Sequence, residues 1–136
     1  MADMIAEGIA DWKAMIGSPF EFRFGAHAQT LEQRQQTAAG NAKYLPFLER
    51  RLAKSGTGFL VCETATYADV LCLEVLDQIV GADSTCLAQF PLTHALYKAM
   101  VRMPRMAAFL DSDRRKSKTQ GVIEAYKASV NRTLGR

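Results

Sequence analysis

The chain has 136 residues and a mass of 15.0 kDa, the size of one domain. Hydrophobic residues make up 49% and charged residues 23%, which excludes a disordered, collagen-like or low-complexity chain. The net charge is +3, and residues 112–136 are the basic part, with seven lysines and arginines against two acidic residues. No aromatic residues interleave with the cluster at 114–118, which argues against nucleic acid as a partner.

No apolar run approaches the roughly 20 residues that cross a bilayer, so no membrane is expected. Asp3 and Glu7 interrupt the first turns, so no leader is predicted. The chain holds three cysteines: Cys62, Cys72 and Cys86. This odd number without a CxxC pair favours a reducing compartment, and we expect a cytoplasmic location. Neither histidine has a cysteine or carboxylate at metal-ligand spacing, so no metal site is predicted.

Helical periodicity predicts an all-α fold of five to seven helices. Apolar residues recur every three or four positions over residues 1–16, and Gly17-Ser18-Pro19 ends that helix. Residues 20–24 alternate phenylalanine with charged residues, but one strand without a partner is better interpreted as an extended loop or frayed helix. A second helical stretch runs from Thr30 to the turn at residues 55–58, and Pro46 should kink it or mark a new start.

Thr66 and Asp69 fit the capping-box pattern of a helix N-terminus. The Thr66 hydroxyl is expected to accept from the Asp69 amide, and the Asp69 carboxylate from the Thr66 amide. Residues 70–80 are apolar on nearly every face, which is typical of the central helix of a bundle. An internal cap suits a buried helix start, and replacing Asp69 with alanine should cost about 1 kcal/mol or more in stability.

Prolines begin the two later helices. Pro91 suits the first turn of a helix that carries Leu92, Leu96 and Met100 on one face. Pro104 closes that helix and opens a short one. Residues 1–111 are therefore predicted to form the helical domain, and residues 112–136 a basic tail or a final helix.

Two patterns resemble the all-helical C-terminal domain of cytosolic glutathione transferases, most like the sigma class. The first is residues 59–69, similar to the loop and capping box before that domain's core helix. The second is residues 83–110, where Phe90-Pro91-Leu92 and residues 103–110 resemble the late helices. The resemblance covers residues 1–111 and implies a five-to-seven-helix bundle of the glutathione transferase C-terminal type. Cys62 departs from it, because family members usually carry glycine there.

The resemblance implies a domain that forms the hydrophobic-substrate pocket of an enzyme conjugating glutathione to electrophiles. The family's thioredoxin-like N-terminal domain, which holds most of the glutathione site, has no counterpart before Met1. We therefore expect this chain to be inactive alone, with glutathione as co-substrate only when a thioredoxin-like domain is supplied. The implied partners are that domain or a homodimer partner, and a small hydrophobic electrophile.

The resemblance also implies site residues. Asp11 matches an acidic residue that binds the glutathione ammonium across the dimer, as a carboxylate can through charge-assisted hydrogen bonds. Four further residues match positions that line the acceptor pocket: Lys13, Ile16, Leu71 and Val75. From the residues alone, Asp11 is also an ordinary solvated acid, and Leu71 and Val75 are also bundle core. No catalytic residue is predicted.

A second function stays open, of another class. Similar helical domains occur in the gamma subunit of a translation elongation factor and in some aminoacyl-tRNA synthetases, where they assemble complexes without catalysis. The basic segment favours this alternative, whereas Asp11 and the first helix favour the transferase. An exposed apolar patch on the first and core helices would favour docking to a thioredoxin-like domain, and a polar face there would favour a self-sufficient module.

Overall fold

The computed structural model of the chain describes residues 1–16, 31–112 and six positions near the C terminus. The described part is all-helical, as predicted, and residues 1–112 contribute five helices to it: α1 (Ala2–Ile16), α2 (Leu31–Ser55), α3 (Tyr67–Ala82), α4 (Pro91–Arg102) and α5 (Pro104–Asp111). The predicted end of the first helix at Gly17-Ser18-Pro19, the extended loop or frayed helix at residues 20–24 and most of the basic tail or final helix at 112–136 lie outside the described residues.

The core lies where α1 packs against α2 and α3. Four α1 side chains at spacings of four, three and four are buried: Ile5, Ile9, Trp12 and Ile16. The Trp12 ring stacks on Tyr44 with centroids 5.8 Å apart, and its Nε1 donates to Asn41 Oδ1 at 3.0 Å. The indole thus has both an apolar contact and a partner for its polar atom, so it can be fully buried without cost to its N–H.

The long helix α2 runs without interruption through Pro46. Pro46 therefore does not mark a new helix start, which was one of its two predicted roles. Proline cannot donate to the carbonyl of Ala42, but Ala42 is exposed, so water can take the place of the missing amide. Upstream, α2 passes close to α1 at Gly40, where an added Cβ would lie 3.1 Å from Trp12 Cδ1.

The helix α3 packs between α1 and α4 through six apolar side chains: Ala68, Cys72, Leu73, Val75, Leu76 and Ile79. The helix thus lies between two neighbours, as expected of a central helix, but one of its sides is open. Val70 is 45% exposed and Leu71 38% exposed. Among the described residues, nothing covers this side of α3.

The helices α4 and α5 complete the described bundle. Pro91 and Pro104 begin them, as predicted, because the first turn of a helix needs no donor at that position. Leu96 and Met100 of α4 are buried against the core, whereas α5 packs on α4 and contains no fully buried residue.

Candidate functional site

A buried carboxylate organises the start of α3. Asp69 is fully buried, and its Oδ2 accepts hydrogen bonds from the Thr66 amide at 2.8 Å and the Thr66 hydroxyl at 2.9 Å. Its Oδ1 accepts from the Leu60 amide, also at 2.8 Å. Both halves of a capping box are present at Thr66 and Asp69. The third donor, Leu60, was missed by sequence reasoning, because it belongs to no helix-cap pattern.

The segment between α2 and α3 is tied down at the same point. The Arg51 guanidinium donates through Nε to the Leu60 carbonyl at 2.7 Å, so both polar backbone groups of the buried Leu60 have partners. Gly56 and Gly58 turn the chain with φ values of +65° and +85°, which favour glycine. The turn and the cap therefore act as one structural unit.

A second long-range cap holds α4. The Glu49 carboxylate, from the middle of α2, accepts from the Leu92 and Thr93 amides, each at 2.9 Å, and from the Thr93 hydroxyl at 2.8 Å. This satisfies donors that the first turn of α4 leaves free. Sequence reasoning missed Glu49, since 43 or more residues separate it from its partners and no local pattern signals the contact.

The predicted glutathione and pocket residues of α1 lie near its C-terminal end. Asp11 is exposed, and its carboxylate forms no ion pair with a described residue. Lys13 extends across to α3, where its Nζ lies 2.7 Å from Glu74 Oε1. Both side chains of this ion pair are about half-exposed. Glu74 was not predicted, although it interrupts the apolar run of α3.

The other predicted pocket residues do not form one surface. Ile16 and Val75 are buried in the core at 2% and 0% exposure. Leu71, one turn before Val75, is exposed beside Tyr67 and Val70. In the described part of the chain, Leu71 and Lys13 are thus the predicted acceptor-pocket residues that a ligand can reach.

Three exposed apolar side chains on α3 form the α1–α3 face: Tyr67, Val70 and Leu71. The first turn of α1 borders it, because the Tyr67 hydroxyl donates to Asp3 Oδ1. That bond, with the negative field of Asp3 and Glu7, raises the pKa of the Tyr67 phenol above its ordinary value. The α1–α3 face is therefore apolar in its middle and acidic along its α1 border.

Two apolar grooves flank α2. The α1–α2 groove has a volume of about 320 Å³ and is lined by Met1, Met4, Ile5, Phe47, Arg50, Arg51 and Lys54. The α2–α4 groove, of about 550 Å³, lies between the end of α2, the following turn and α4. Its floor is Leu52 and Leu96, and its sides include Ala53, Phe59, Leu92, Ala95 and Ala99. Neither groove received a sequence prediction.

A smaller pocket and the buried thiols lie apart from these grooves. The pocket, of about 130 Å³, lies between α2 on one side and the C-terminal ends of α1 and α3 on the other. Burial raises the pKa of the Cys72 thiol, and a smaller degree of burial raises that of Cys86, so neither is poised as a thiolate. The described residues contain no group of three metal-ligating side chains, and none of their helices is long and apolar enough to cross a membrane.

The fold and the buried cap define a small helical-bundle domain whose third helix starts inside the protein. The sequence model of one family, Glutathione S-transferase, C-terminal domain, matches residues 11–113. The chain belongs to this family, and the resemblance seen in the sequence is confirmed. The sigma-class likeness within the family stays a prediction.

Similar proteins carry names from this family. The chain is 32% identical to Glutathione S-transferase A1 of Mus musculus over 114 residues, which are 81% of this chain and 48% of that protein. It is 29% identical to Glutathione S-transferase P 1 of Xenopus laevis over 117 residues, 83% of this chain and 51% of that protein. The chain thus spans about half the length of the curated relatives it matches.

A solved structure shares the fold. The structure titled Structure of NaGST-2 superposes with a TM-score of 0.67 over 82% of this chain and 55% of that chain, at 21% identity. This likeness places the described helices in the glutathione transferase fold.

Proposed function

We propose that this chain is the hydrophobic-substrate domain of a glutathione transferase, which conjugates glutathione to electrophiles when a thioredoxin-like domain is present. The observation that carries the proposal is the α1–α3 face. Tyr67 is 49% exposed, and one turn later in the same helix Val70 and Leu71 are 45% and 38% exposed. Burying one such side chain fully contributes about 1.5–3 kcal/mol, so a partner domain docked there would gain substantially.

The same face separates the two functions that the sequence left open. A self-sufficient assembly module should keep the exposed side of α3 polar, because it has no second domain to place there. This chain has three large apolar or aromatic side chains on it instead. The transferase is therefore the function that the geometry supports best.

Asp11 is the residue of this chain proposed to bind glutathione, through the ammonium group and across a homodimer. Its carboxylate is exposed and is not engaged by a described cation. A charge-assisted hydrogen bond to an ammonium would therefore not have to break an existing ion pair. The exposed apolar side chains of the α1–α2 groove, Met1, Met4 and Phe47, support α1 and α2 as the homodimer contact.

The acceptor would contact the reachable pocket residues, Leu71 and Lys13. Leu71 offers apolar surface to a hydrophobic electrophile. The Lys13–Glu74 ion pair keeps the lysine ammonium against α3, so the acceptor pocket would be bordered by charge on its α1 side. Ile16 and Val75 would support this wall from the core rather than touch the acceptor.

The test joins the chain to the thioredoxin-like half of a glutathione transferase and measures conjugation of a chlorodinitroarene. We expect glutathione-dependent turnover by the fusion and no calorimetric binding of glutathione to the chain alone at millimolar ligand. Asp11→Asn should raise the KM for glutathione with little change in kcat, because it removes a binding contact. Glu7→Gln, an exposed acid one turn earlier on α1, is the matched control.

Three results would contradict the proposal. The first is a folded fusion without turnover. The second is saturable glutathione binding by the chain alone, which would place a complete site within these residues. The third is an equal KM increase in Asp11→Asn and Glu7→Gln, which would assign the effect to general surface charge.

A further inference from the structure

The α2–α4 groove lies apart from the residues assigned to glutathione, acceptor or domain docking. Its ten lining residues come from the end of α2, the turn at 56–59 and α4. Leu92, Ala95 and Ala99 follow one another at spacings of three and four, so they share one side of α4. Along this side the groove extends for about 10 Å, or two helical turns. Leu92 is 41% exposed at one end of it.

The shape of the groove fits a helix. Its sides carry small side chains, among them Ala53, Ala95 and Ala99, which leave room for an incoming backbone. Its floor is apolar, because Leu52 and Leu96 are 3% and 2% exposed and present only their outer surface. A ridge of leucine-sized side chains on a partner helix could reach that floor, as in other helix-in-groove complexes.

The charges beside the groove are cationic. Lys98 and Arg102 lie three residues after Ala95 and Ala99 on α4, outside the lining of the groove, so they stand along its edge next to these alanines. Both are exposed, and neither forms an ion pair with another described residue. The carboxylate closest to α4 from α2, that of Glu49, is already used by three donors at the start of α4.

We propose that the α2–α4 groove is a docking site for an acidic amphipathic helix of a partner protein. Apolar side chains of that helix fill the groove above Leu52 and Leu96, and its glutamates or aspartates pair with Lys98 and Arg102. A concave apolar surface with two flanking cations fits this occupant better than a nucleic acid, whose binding needs several phosphate contacts. Because the groove is concave, it also fits a helix better than it fits the flat surface of a bilayer.

The experiment titrates the full chain into a fluorescein-labelled peptide and follows anisotropy. The peptide has roughly 18 residues, leucines at spacings of three and four, and glutamates on both flanks. We expect saturable binding that weakens with salt. Ala99→Glu should weaken it about tenfold or more, because the new carboxylate blocks the groove and repels the peptide. Ala38→Glu, at an exposed position of α2 outside the groove, is the matched control.

A charge exchange tests the partner's chemistry. A second peptide replaces every glutamate by lysine, and the wild-type chain should bind it at least about fivefold more weakly. The double variant Lys98→Glu with Arg102→Glu should reverse this preference. Circular dichroism checks that every variant keeps its helices, which is expected because all four substituted positions are exposed.

Several outcomes would overturn the proposal. They are no saturable binding of the acidic peptide at millimolar chain, equal binding of the two peptides, and equal loss in Ala99→Glu and Ala38→Glu. Sedimentation that showed self-association abolished by Ala99→Glu would assign the groove to a second copy of this chain instead. Preferential binding to anionic vesicles over the acidic peptide would assign it to a membrane surface.

Discussion

Replacing Asp69 by asparagine should destabilise the fold far more than its small change in shape suggests. The carboxylate accepts three hydrogen bonds on two oxygens, from the Leu60 amide, the Thr66 amide and the Thr66 hydroxyl. An asparagine side chain has one oxygen and one NH2 group. Whichever way it turns, its NH2 group faces a donor that the carboxylate had satisfied.

The loss in the free energy of unfolding depends on how deeply each orphaned donor is buried. Leu60 is fully buried, so its amide has no water to turn to, and an orphaned buried donor costs about 2 kcal/mol. Thr66 is half-buried and can recover partly, so its lost cap costs about 1 kcal/mol. The asparagine oxygen can keep one of these two sites, so only the other site loses its acceptor. The expected loss is therefore about 1–2 kcal/mol, set against the roughly 5–15 kcal/mol by which a domain of this size is stable.

Urea unfolding followed by circular dichroism at the helix minimum measures this loss. With a slope of about 1.5 kcal/mol per molar urea, the midpoint should fall by about 1 M. Asp83→Asn is the matched control: Asp83 Oδ1 also accepts from a backbone amide and a hydroxyl, both of Thr85, but it is exposed. We expect a loss below about 0.5 kcal/mol there. A loss below about 0.5 kcal/mol in Asp69→Asn, or equal losses at both positions, would contradict this prediction.

Two further predictions concern the contacts of α1. Gly40→Ala should lower the free energy of unfolding by about 1–3 kcal/mol in thermal melts, because its Cβ would lie 3.1 Å from the Trp12 ring. Gly8→Ala is the control: its Cβ meets only ordinary contacts, so it should be neutral or stabilising in the same melts. The Tyr67 phenol should titrate above its ordinary pKa, so its bond to Asp3 persists at neutral pH and is lost as the pH rises through that raised pKa. Asp3→Asn should lower that pKa towards 10 in ultraviolet titrations, with Tyr67→Phe identifying the signal, and an unchanged pKa would refute the assignment.

The helices were predictable because their signals are local. Thr66 and Asp69 stand three residues apart, and Pro91 and Pro104 mark helix starts by properties of single residues. Such features depend on backbone groups within one turn. The sequence therefore predicts where each of these helices begins without knowledge of its neighbours.

The contacts between helices were not predictable in the same way. Glu49 meets Thr93 across 44 residues and Lys13 meets Glu74 across 61, and neither pair follows from periodicity. The exposure of Leu71 could not be predicted for the same reason. An apolar side chain on a core helix gives no sign of which side of that helix its neighbours leave open. The sequence left Val75 as either pocket or core, and the packing decides for core. Ile16, taken from the resemblance as a pocket residue, is core as well.

The graded burial of the three thiols sets an order of oxidation. Cys62 is exposed, Cys86 is partly covered and Cys72 is fully buried. An oxidant would therefore meet Cys62 first, while Cys72 can react only during excursions in which α3 separates from the core. Chemical damage at Cys72 would thus record how often the domain opens, and the folded state protects its own centre for as long as it stays closed.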